Sequence, residues 1–115
     1  MNYTVSLKNN RDFRRLYSRG KTAGTSRLLV YCRRVTDRGY NRIGYTVSTK
    51  LGHAVKRNRV RRRLREIYRL NEQRFSRGWD IVVVVRRGGF EADYRHLEAD
   101  FLRIMKKLNI TEGSE

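Results

Sequence analysis

The positive charge of this chain is concentrated in one part of its sequence. Residues 1–69 carry 20 Lys or Arg and three acidic residues, whereas residues 70–115 carry eight of each, so the net charge of +17 lies entirely in the first part. Hydrophobic residues make up 38% of the 115 residues, which is enough for one modest core. The fold must therefore carry a strongly basic field over part of one small domain. Solubility alone does not require such segregation, which is typical of nucleic-acid-binding proteins.

Length and composition argue against several other classes of protein. The longest apolar run, residues 81–85, is far shorter than the ~18 residues of a transmembrane helix, and the N-terminus has no apolar targeting segment. The one cysteine, Cys32, forms neither an internal disulfide nor a metal site by itself. An anionic membrane surface is the main alternative partner, but no lipidation motif or strongly apolar amphipathic face supports it. We expect a single cytoplasmic domain over residues 1–115, with frayed termini at 1–6 and 109–115.

Hydrophobic periodicity predicts alternating helices and strands. Three segments have the apolar spacing of helices: residues 10–20, 54–69 and 92–108. Three segments have the pattern of strands: residues 27–35, 42–49 and 79–86. Asn9 and Asn10 are suitable caps for the first helix, and Gly20 is a suitable end. Residues 37–40 are predicted to form the turn of a hairpin between the first two strands. Residues 21–26 are rich in turn-forming residues and are compatible with a short edge strand.

The order helix, hairpin, helix, strand, helix predicts an α+β fold, a sandwich of three helices on a small, mostly antiparallel sheet. The strand at 79–86 has a continuous apolar centre, as expected for a strand covered on both faces. The second helix has one apolar stripe, formed by Val60, Leu64, Ile67 and Tyr68.

The second helix is the most basic part of the chain. Residues 50–69 hold nine Lys or Arg and one acid, Glu66. Like charges at i, i+4 repel by a few tenths of a kcal/mol, and too few acids lie nearby to offset this, so an external polyanion is the natural counterion. Arginine dominates, and its planar guanidinium group matches phosphate oxygens. A DNA-recognition helix usually belongs to a helix-turn-helix or zinc module, so a basic helix between two strands favours RNA over DNA.

Aromatic residues accompany arginine in the first helix. Phe13 and Tyr17 lie one turn apart on a helix that also carries four arginines, and Tyr31 lies on a neighbouring strand. Aromatic faces interleaved with arginine suit the stacking of unpaired bases beside a phosphate track. Aromatic residues at helical spacing are more often part of a core, so these residues alone favour packing over stacking.

No group of residues has the pattern of a catalytic site. His53 precedes the basic helix and is expected at most to contact phosphate, whereas His96 lies within the last helix and is expected to be structural. The acids of the last helix suit capping and solvated roles rather than a two-metal cluster, and Cys32 is expected to be a small buried hydrophobe. The residues predict an RNA-binding module with no catalytic residue and no metal ligand. A structural RNA-binding protein, such as a ribosomal component, and a stand-alone nuclease remain the alternatives.

Residues 47–66, VSTKLGHAVKRNRVRRRLRE, closely resemble the signature of the bacterial ribonuclease P protein family, whose hallmark is the core Arg57-Asn58-Arg59. Residues 7–13 are similar to the family's opening and residues 79–86 to its last strand, so the resemblance runs from about residue 7 to residue 108. It implies an α-β sandwich with a left-handed β-α-β crossover, whereas the general rule predicts a right-handed one.

The resemblance also implies a function. A protein of this family is the non-catalytic subunit of an endoribonuclease: it binds a catalytic RNA subunit and the single-stranded 5′ leader of precursor tRNA, and it assists removal of that leader. Magnesium at the RNA active site supports the hydrolysis. The implied partners are the catalytic RNA and precursor tRNA, with no DNA and no membrane, and the protein is a monomer in a one-to-one complex with the RNA.

The predicted binding residues form two groups, most of whose members match binding positions of the family. The basic-motif positions are Lys50, His53, Lys56, Arg57, Asn58, Arg59, Arg61, Arg62, Arg63 and Arg65. The leader-cleft positions are Phe13, Arg14, Tyr17 and Tyr31. The sequence departs from the family at His53, where a small or polar residue is usual, and after the last strand, where a proline is often found.

Overall fold

The computed structural model describes residues 1–111, which form one five-stranded sheet with helices on both faces. The strands are β1 (Thr4–Ser6), β2 (Lys21–Gly24), β3 (Leu28–Arg34), β4 (Asn41–Val47) and β5 (Trp79–Val85). The helices are α1 (Asn10–Arg19), α2 (Ala54–Asn71), α3 (Arg87–Phe90) and α4 (Tyr94–Lys107). Short 3₁₀ turns at Thr49–Leu51 and Glu72–Arg74 lie on either side of α2.

The sheet has the order β1-β4-β5-β3-β2. β4 is parallel to both β1 and β5, whereas β3 is antiparallel to both β5 and β2. The α+β class is therefore confirmed, but the sheet is mixed rather than mostly antiparallel. The predicted hairpin between residues 27–35 and 42–49 is wrong, because the apolar strand β5 lies between β3 and β4. β4 and β5 are joined through α2 in a β-α-β crossover, whose left-handed sense stays a prediction.

The sheet separates two hydrophobic clusters. α2 and α4 cover one face and form the main core, which contains the whole predicted stripe of α2. α1 covers the other face, where Leu16 packs with Leu7 and Val82. Cys32 of β3 is fully buried in the main core, as predicted, and this burial raises the pKa of its thiol to about 11.

Side-chain caps fix where two of the helices begin. The Asn9 side chain accepts a hydrogen bond from the backbone N–H of Arg11 at 2.8 Å, as expected for the cap of α1. The Asp93 side chain accepts from the backbone N–H of His96 at 2.9 Å, so α4 begins at Tyr94, two residues later than predicted.

The N-terminal segment is held by a buried carboxylate. Glu72, only 3% exposed, accepts hydrogen bonds from the backbone N–H groups of Asn2 and Tyr3 and from the Thr4 hydroxyl, at 2.8, 3.1 and 2.6 Å. Burial by itself raises the pKa of Glu72, but these hydrogen bonds outweigh it and hold the pKa below its ordinary value. The predicted fraying of residues 1–6 is therefore wrong for Thr4–Ser6, which form an edge strand.

The predicted fraying of the C-terminus is only partly within the described residues. Ile110 is fully buried, and Thr111 forms an antiparallel bridge with Phe75. These two residues are packed rather than frayed, because they close over the end of the main core. Residues 112–115 of the predicted frayed segment lie outside the described residues.

Asp80 is the charged centre of the sheet. Its carboxylate is 2% exposed and accepts hydrogen bonds from Arg38 at 2.8 Å and from Arg42 at 2.9 and 2.8 Å. Arg42 also reaches Asp12 of α1 at 3.1 Å, which ties that helix to the sheet. Burial alone raises the pKa of Asp80, but the hydrogen bonds from Arg42 and Arg38 outweigh it, so the pKa lies below its ordinary value.

We expect Asp80→Asn to lower the free energy of unfolding by about 2–3 kcal/mol near neutral pH, because it leaves two guanidinium groups without their shared carboxylate. A depressed pKa stabilises the fold above the unfolded pKa of about 4, and this contribution is lost as the pH falls through the folded value. The difference between wild type and variant in urea denaturation should therefore shrink between about pH 5 and pH 2.

The matched control is Glu91→Gln, which neutralises a side chain that is 72% exposed and 3.5 Å from Lys56. We expect this change to stay within about 0.5 kcal/mol. Equal losses for the two variants would show that Asp80 is not the charged centre of the fold.

Candidate nucleic-acid interface

α1 lies over a row of residues that crosses the sheet. Gly44 of β4, Val82 of β5 and Tyr31 of β3 are in register across three neighbouring strands. The Phe13 ring lies very close to Gly44: a Cβ atom on residue 44 would be 2.5 Å from the Cζ atom of Phe13. Glycine at this position therefore sets how near the first turns of α1 can approach the sheet.

The aromatic side chains of α1 are partly packed and partly open to solvent. The ring of Tyr17 meets that of Tyr31 edge to face, with centroids 5.1 Å apart, and its centroid is 6.4 Å from that of Phe13. Tyr17 is 40% exposed, and its hydroxyl lies 2.7 Å from the Thr46 hydroxyl. Phe13 and Tyr31 are half-buried, and Arg14 beside them is exposed. These positions leave aromatic surface accessible next to a cation.

The edge of the sheet is open beside these rings. β1 pairs with Asn41–Ile43, and no strand within residues 1–111 pairs with Gly44–Val47 on that side. Two adjoining cavities of about 270 and 420 Å³ lie there, between α1 and α2. We call this opening the cleft. Its aromatic and cationic lining residues are Phe13, Tyr17, Tyr45, Lys8, Arg14, Arg61 and Arg65.

The cleft brings together some members of the two groups that the sequence singles out, namely Phe13, Arg14 and Tyr17 with Arg61 and Arg65. Arg61 lines both cavities and Arg65 lines the smaller one, so the basic helix forms the wall opposite the aromatic side chains of α1. Among residues 1–111, no carboxylate lines either cavity. The local field is therefore positive, as an anionic ligand requires.

Most cations of the basic motif have no acidic partner. Within residues 1–111, only Lys56 and Arg69 of the nine cations at 50–69 pair with a carboxylate, at 3.5 Å to Glu91 and 2.7 Å to Glu66. Arg57 and Arg63 donate to the carbonyl oxygens of Gly52 and Ala92, and Arg61 donates to Asn58. Lys50, Arg59, Arg62 and Arg65 make no side-chain hydrogen bond or ion pair within the described part of the chain.

The remaining basic-motif residues mark the start of α2. Lys50 lies in the 3₁₀ turn before the helix, and both Lys50 and His53 are exposed. His53 occupies the N-cap position of α2, but its side chain makes no capping hydrogen bond. The imidazole is therefore available to solvent.

The structure adds residues that the sequence did not single out. Tyr45 lines both cavities, and its hydroxyl is buried with no hydrogen-bond partner within residues 1–111. Burial is the main reason that the pKa of Tyr45 lies well above its ordinary value. Lys8, Asn10 and Thr46 also line the cleft. Along β4, the side chain of Tyr45 lies on the opposite face from Gly44 and Thr46. The sequence shows this alternation but does not show that, within residues 1–111, this edge of β4 is unpaired at these residues, so it does not reveal that all three residues border an opening.

Residues 1–111 contain neither a metal-binding cluster nor a membrane-spanning helix. No group of three or more His, Cys, Asp or Glu side chains is placed to hold a metal ion there. Within the same range, every helix is too short or too polar to span a bilayer.

The fold and the cleft define a class of protein: a small α+β domain that presents a basic helix and partly exposed aromatic rings to an anionic partner. A family model described as Ribonuclease P matches residues 1–109. The chain belongs to the ribonuclease P protein family, which confirms the resemblance seen in the sequence. It is thereby the protein component of the RNase P endoribonuclease, a tRNA-processing ribonucleoprotein, and its partner is the RNase P RNA.

Individual relatives agree with this assignment. The chain is 40% identical over 110 residues to the ribonuclease P protein component of Alkaliphilus oremlandii, covering 94% of each chain. It is 35% identical to that of Natranaerobius thermophilus, covering 97% of this chain and 96% of the other. The solved RNase P protein of Staphylococcus aureus superposes with a TM-score of 0.85 at 26% identity, over 93% of this chain and 97% of that one. The Thermotoga maritima protein gives 0.77 at 30% identity, over 85% and 92%.

We expect Arg59→Ala or Arg62→Ala to weaken binding to RNase P RNA and to reduce the slope of log K against log salt by about one unit each. Neither side chain has a hydrogen-bond or ion-pair partner in the described part of the chain, so its removal costs the fold little. Binding isotherms at four or five salt concentrations provide the measurement. Arg103→Ala, on the exposed side of α4, is the charge-matched control, and a slope equal to that of this control would remove either arginine from the phosphate contacts.

Proposed function

We propose that this chain binds the RNase P RNA through its basic motif and holds the single-stranded 5′ leader of precursor tRNA in the cleft. The observation that carries the proposal is the meeting of the α1 aromatic rings with Arg61 and Arg65 at the open edge of β4. Stacking surfaces and phosphate-binding cations on opposite walls are what an unpaired strand needs, because its bases and its backbone are both accessible.

The contribution of this chain is electrostatic and positional. Arg59 and Arg62 neutralise phosphates of the RNA in this proposal, because no carboxylate within residues 1–111 pairs with them. Arg14 and Arg61 flank the rings and would hold the leader backbone while Tyr17 offers a ring face to a base. Such contacts favour a substrate that has a leader over a product that lacks one, since the product cannot reach them.

The hydrolysis is assigned to the RNA. Magnesium is held in proteins chiefly by carboxylates and substrate phosphates, and no carboxylate of residues 1–111 lines the cleft. The side chains of the cleft therefore do not fit a magnesium site, and we place the ion at the RNA. The same proposal includes a one-to-one complex with the RNA in the cytoplasm.

Reconstitution tests the function. Precursor tRNA cleavage by the partner RNA is measured at low magnesium, with and without this chain, and compared with binding of mature tRNA. The proposal expects faster cleavage and selectively tighter binding of the leader-bearing substrate. Binding to folded RNA with no gain in processing would indicate a structural RNA-binding protein, and cleavage by the RNA-free protein would indicate a stand-alone nuclease.

We expect Tyr17→Ala to reduce affinity for leader-bearing substrate by about 1–3 kcal/mol while sparing mature tRNA, because it removes one stacking face. Tyr17→Phe is the matched control: it keeps the ring and removes only the hydroxyl that lies 2.7 Å from Thr46. Equilibrium binding of both substrates to the reconstituted complex gives the comparison. Equal losses on the two substrates would show that Tyr17 is a packing residue.

A further inference from the structure

We propose that a second, smaller surface of this chain binds the phosphodiester backbone of RNA, at the end of the sheet remote from the start of the basic helix. This surface, the distal groove, is a cavity of about 560 Å³ lined by Tyr3, Arg34, Gln73, Ser76 and Arg77. The inference rests on the proposed function, since it takes the RNA of the same ribonucleoprotein as the ligand.

Aromatic rings hold the two arginines of the distal groove in place. The Arg77 guanidinium carbon lies 4.1 Å from the centre of the Tyr3 ring, and that of Arg34 lies 5.4 Å from the centre of the Trp79 ring. A guanidinium group over a ring keeps its charge and leaves N–H donors for a second ligand. Both residues are exposed, and neither pairs with a carboxylate within residues 1–111.

Two other arginines near the distal groove, Arg38 and Arg42, are neutralised by carboxylates of the chain itself. Arg38 donates to the Tyr40 and Trp79 carbonyl oxygens and to Asp80, so its donors serve the fold. Arg42 is likewise bound by Asp80 and Asp12. Arg34 and Arg77 share none of these acids.

Two buried acids near the distal groove, Asp80 and Glu72, are already in use. Asp80 serves Arg38 and Arg42, and the buried Glu72 carboxylate accepts from the N-terminal segment. Arg74, next to Gln73 in sequence, is also exposed. Within residues 1–111, no carboxylate lines the groove, so its surface is cationic and open to an external counterion.

The distal groove and the start of the basic motif lie at opposite ends of the same strands. Arg34 ends β3 and Arg77 precedes β5, beside Asn41 at the start of β4. The basic motif begins after Val47, at the other end of β4, whose seven residues span about 20 Å. RNA bound only at the start of α2 does not reach the groove, so the groove adds a contact to a further part of the RNA.

The chemistry of the groove favours phosphate. Arginine offers parallel N–H donors that match phosphate oxygens, and contacts of this kind position a nucleic acid without reading its sequence. The Ser76 hydroxyl is committed, since it accepts from the Trp79 indole and donates to the Ile110 carbonyl oxygen. Arg34, Arg77 and the exposed Gln73 amide remain as donors. An acidic protein segment offers similar oxygens, but RNA is the polyanion already present in the complex.

The test compares Arg34→Ala/Arg77→Ala with the control Arg103→Ala, each as the full chain assembled with RNase P RNA. The double variant is expected to bind the RNA on the order of tenfold more weakly near 0.15 M salt and to lose about two units of salt slope. Its preference for leader-bearing over mature tRNA should stay that of wild type, because the cleft is intact. Circular dichroism and a thermal melt check that the variants fold.

RNA affinity and slope equal to those of wild type or of the single-charge control would overturn the inference, and this would also be the result if an acidic protein segment were the true ligand. The outcome is separable from a failure of the proposed function, which would appear as a wild-type chain that does not stimulate cleavage.

A second measurement does not depend on removing the arginines. An iron–EDTA group is tethered at Gln73→Cys, while the native Cys32 is fully buried and stays unlabelled. Hydroxyl radicals from this position should cut the RNA at sites distinct from those cut from Asn58→Cys in the basic helix. No cutting above that from a tether at Arg103→Cys would contradict a second RNA contact.

Discussion

The central position of β5 is the constraint on which the rest of this structure depends. Its apolar side chains need cover on both faces, and it pairs with β3 on one side and β4 on the other. β4 is thereby moved away from β3 towards the edge of the sheet and, being parallel to β5, must be joined to it by a crossover, which is α2. The same strand therefore separates two segments that are adjacent in sequence and brings the basic helix beside the edge that α1 borders.

Electrostatics divides the arginines into two groups with different roles. Arg38 and Arg42 converge on Asp80, and Arg27 reaches the buried Asp100 at 3.2 Å, so these cations stabilise the fold around carboxylates that are almost inaccessible. The cations of the cleft and most of the basic motif have no such partner within residues 1–111. These cations repel one another, and bound phosphate would reduce that repulsion. The affinity for RNA should therefore depend steeply on salt concentration.

Membership of the ribonuclease P protein family and the geometry of the cleft support the same division of labour. Within residues 1–111, the opening is lined by rings and cations and by no carboxylate, which suits the proposed positioning of an unpaired strand. The distal groove extends this principle. Arginines held against Tyr3 and Trp79 are pre-ordered for a ligand, and a second contact far from the first would fix the orientation of the protein on its RNA.

The sequence by itself determined the three longer helices, the apolar stripe of α2, the α+β class, the basic motif and the family, because periodicity, charge and a specific signature are local properties. It also placed Phe13, Tyr17 and Tyr31 together as candidates. Tertiary structure alone decided that β5 separates β3 from β4, that Thr4–Ser6 form an edge strand, and that Tyr45 and Thr46 border an opening. Strand order and edges depend on which distant segments pair, and alternation along one strand shows its faces but not its neighbours.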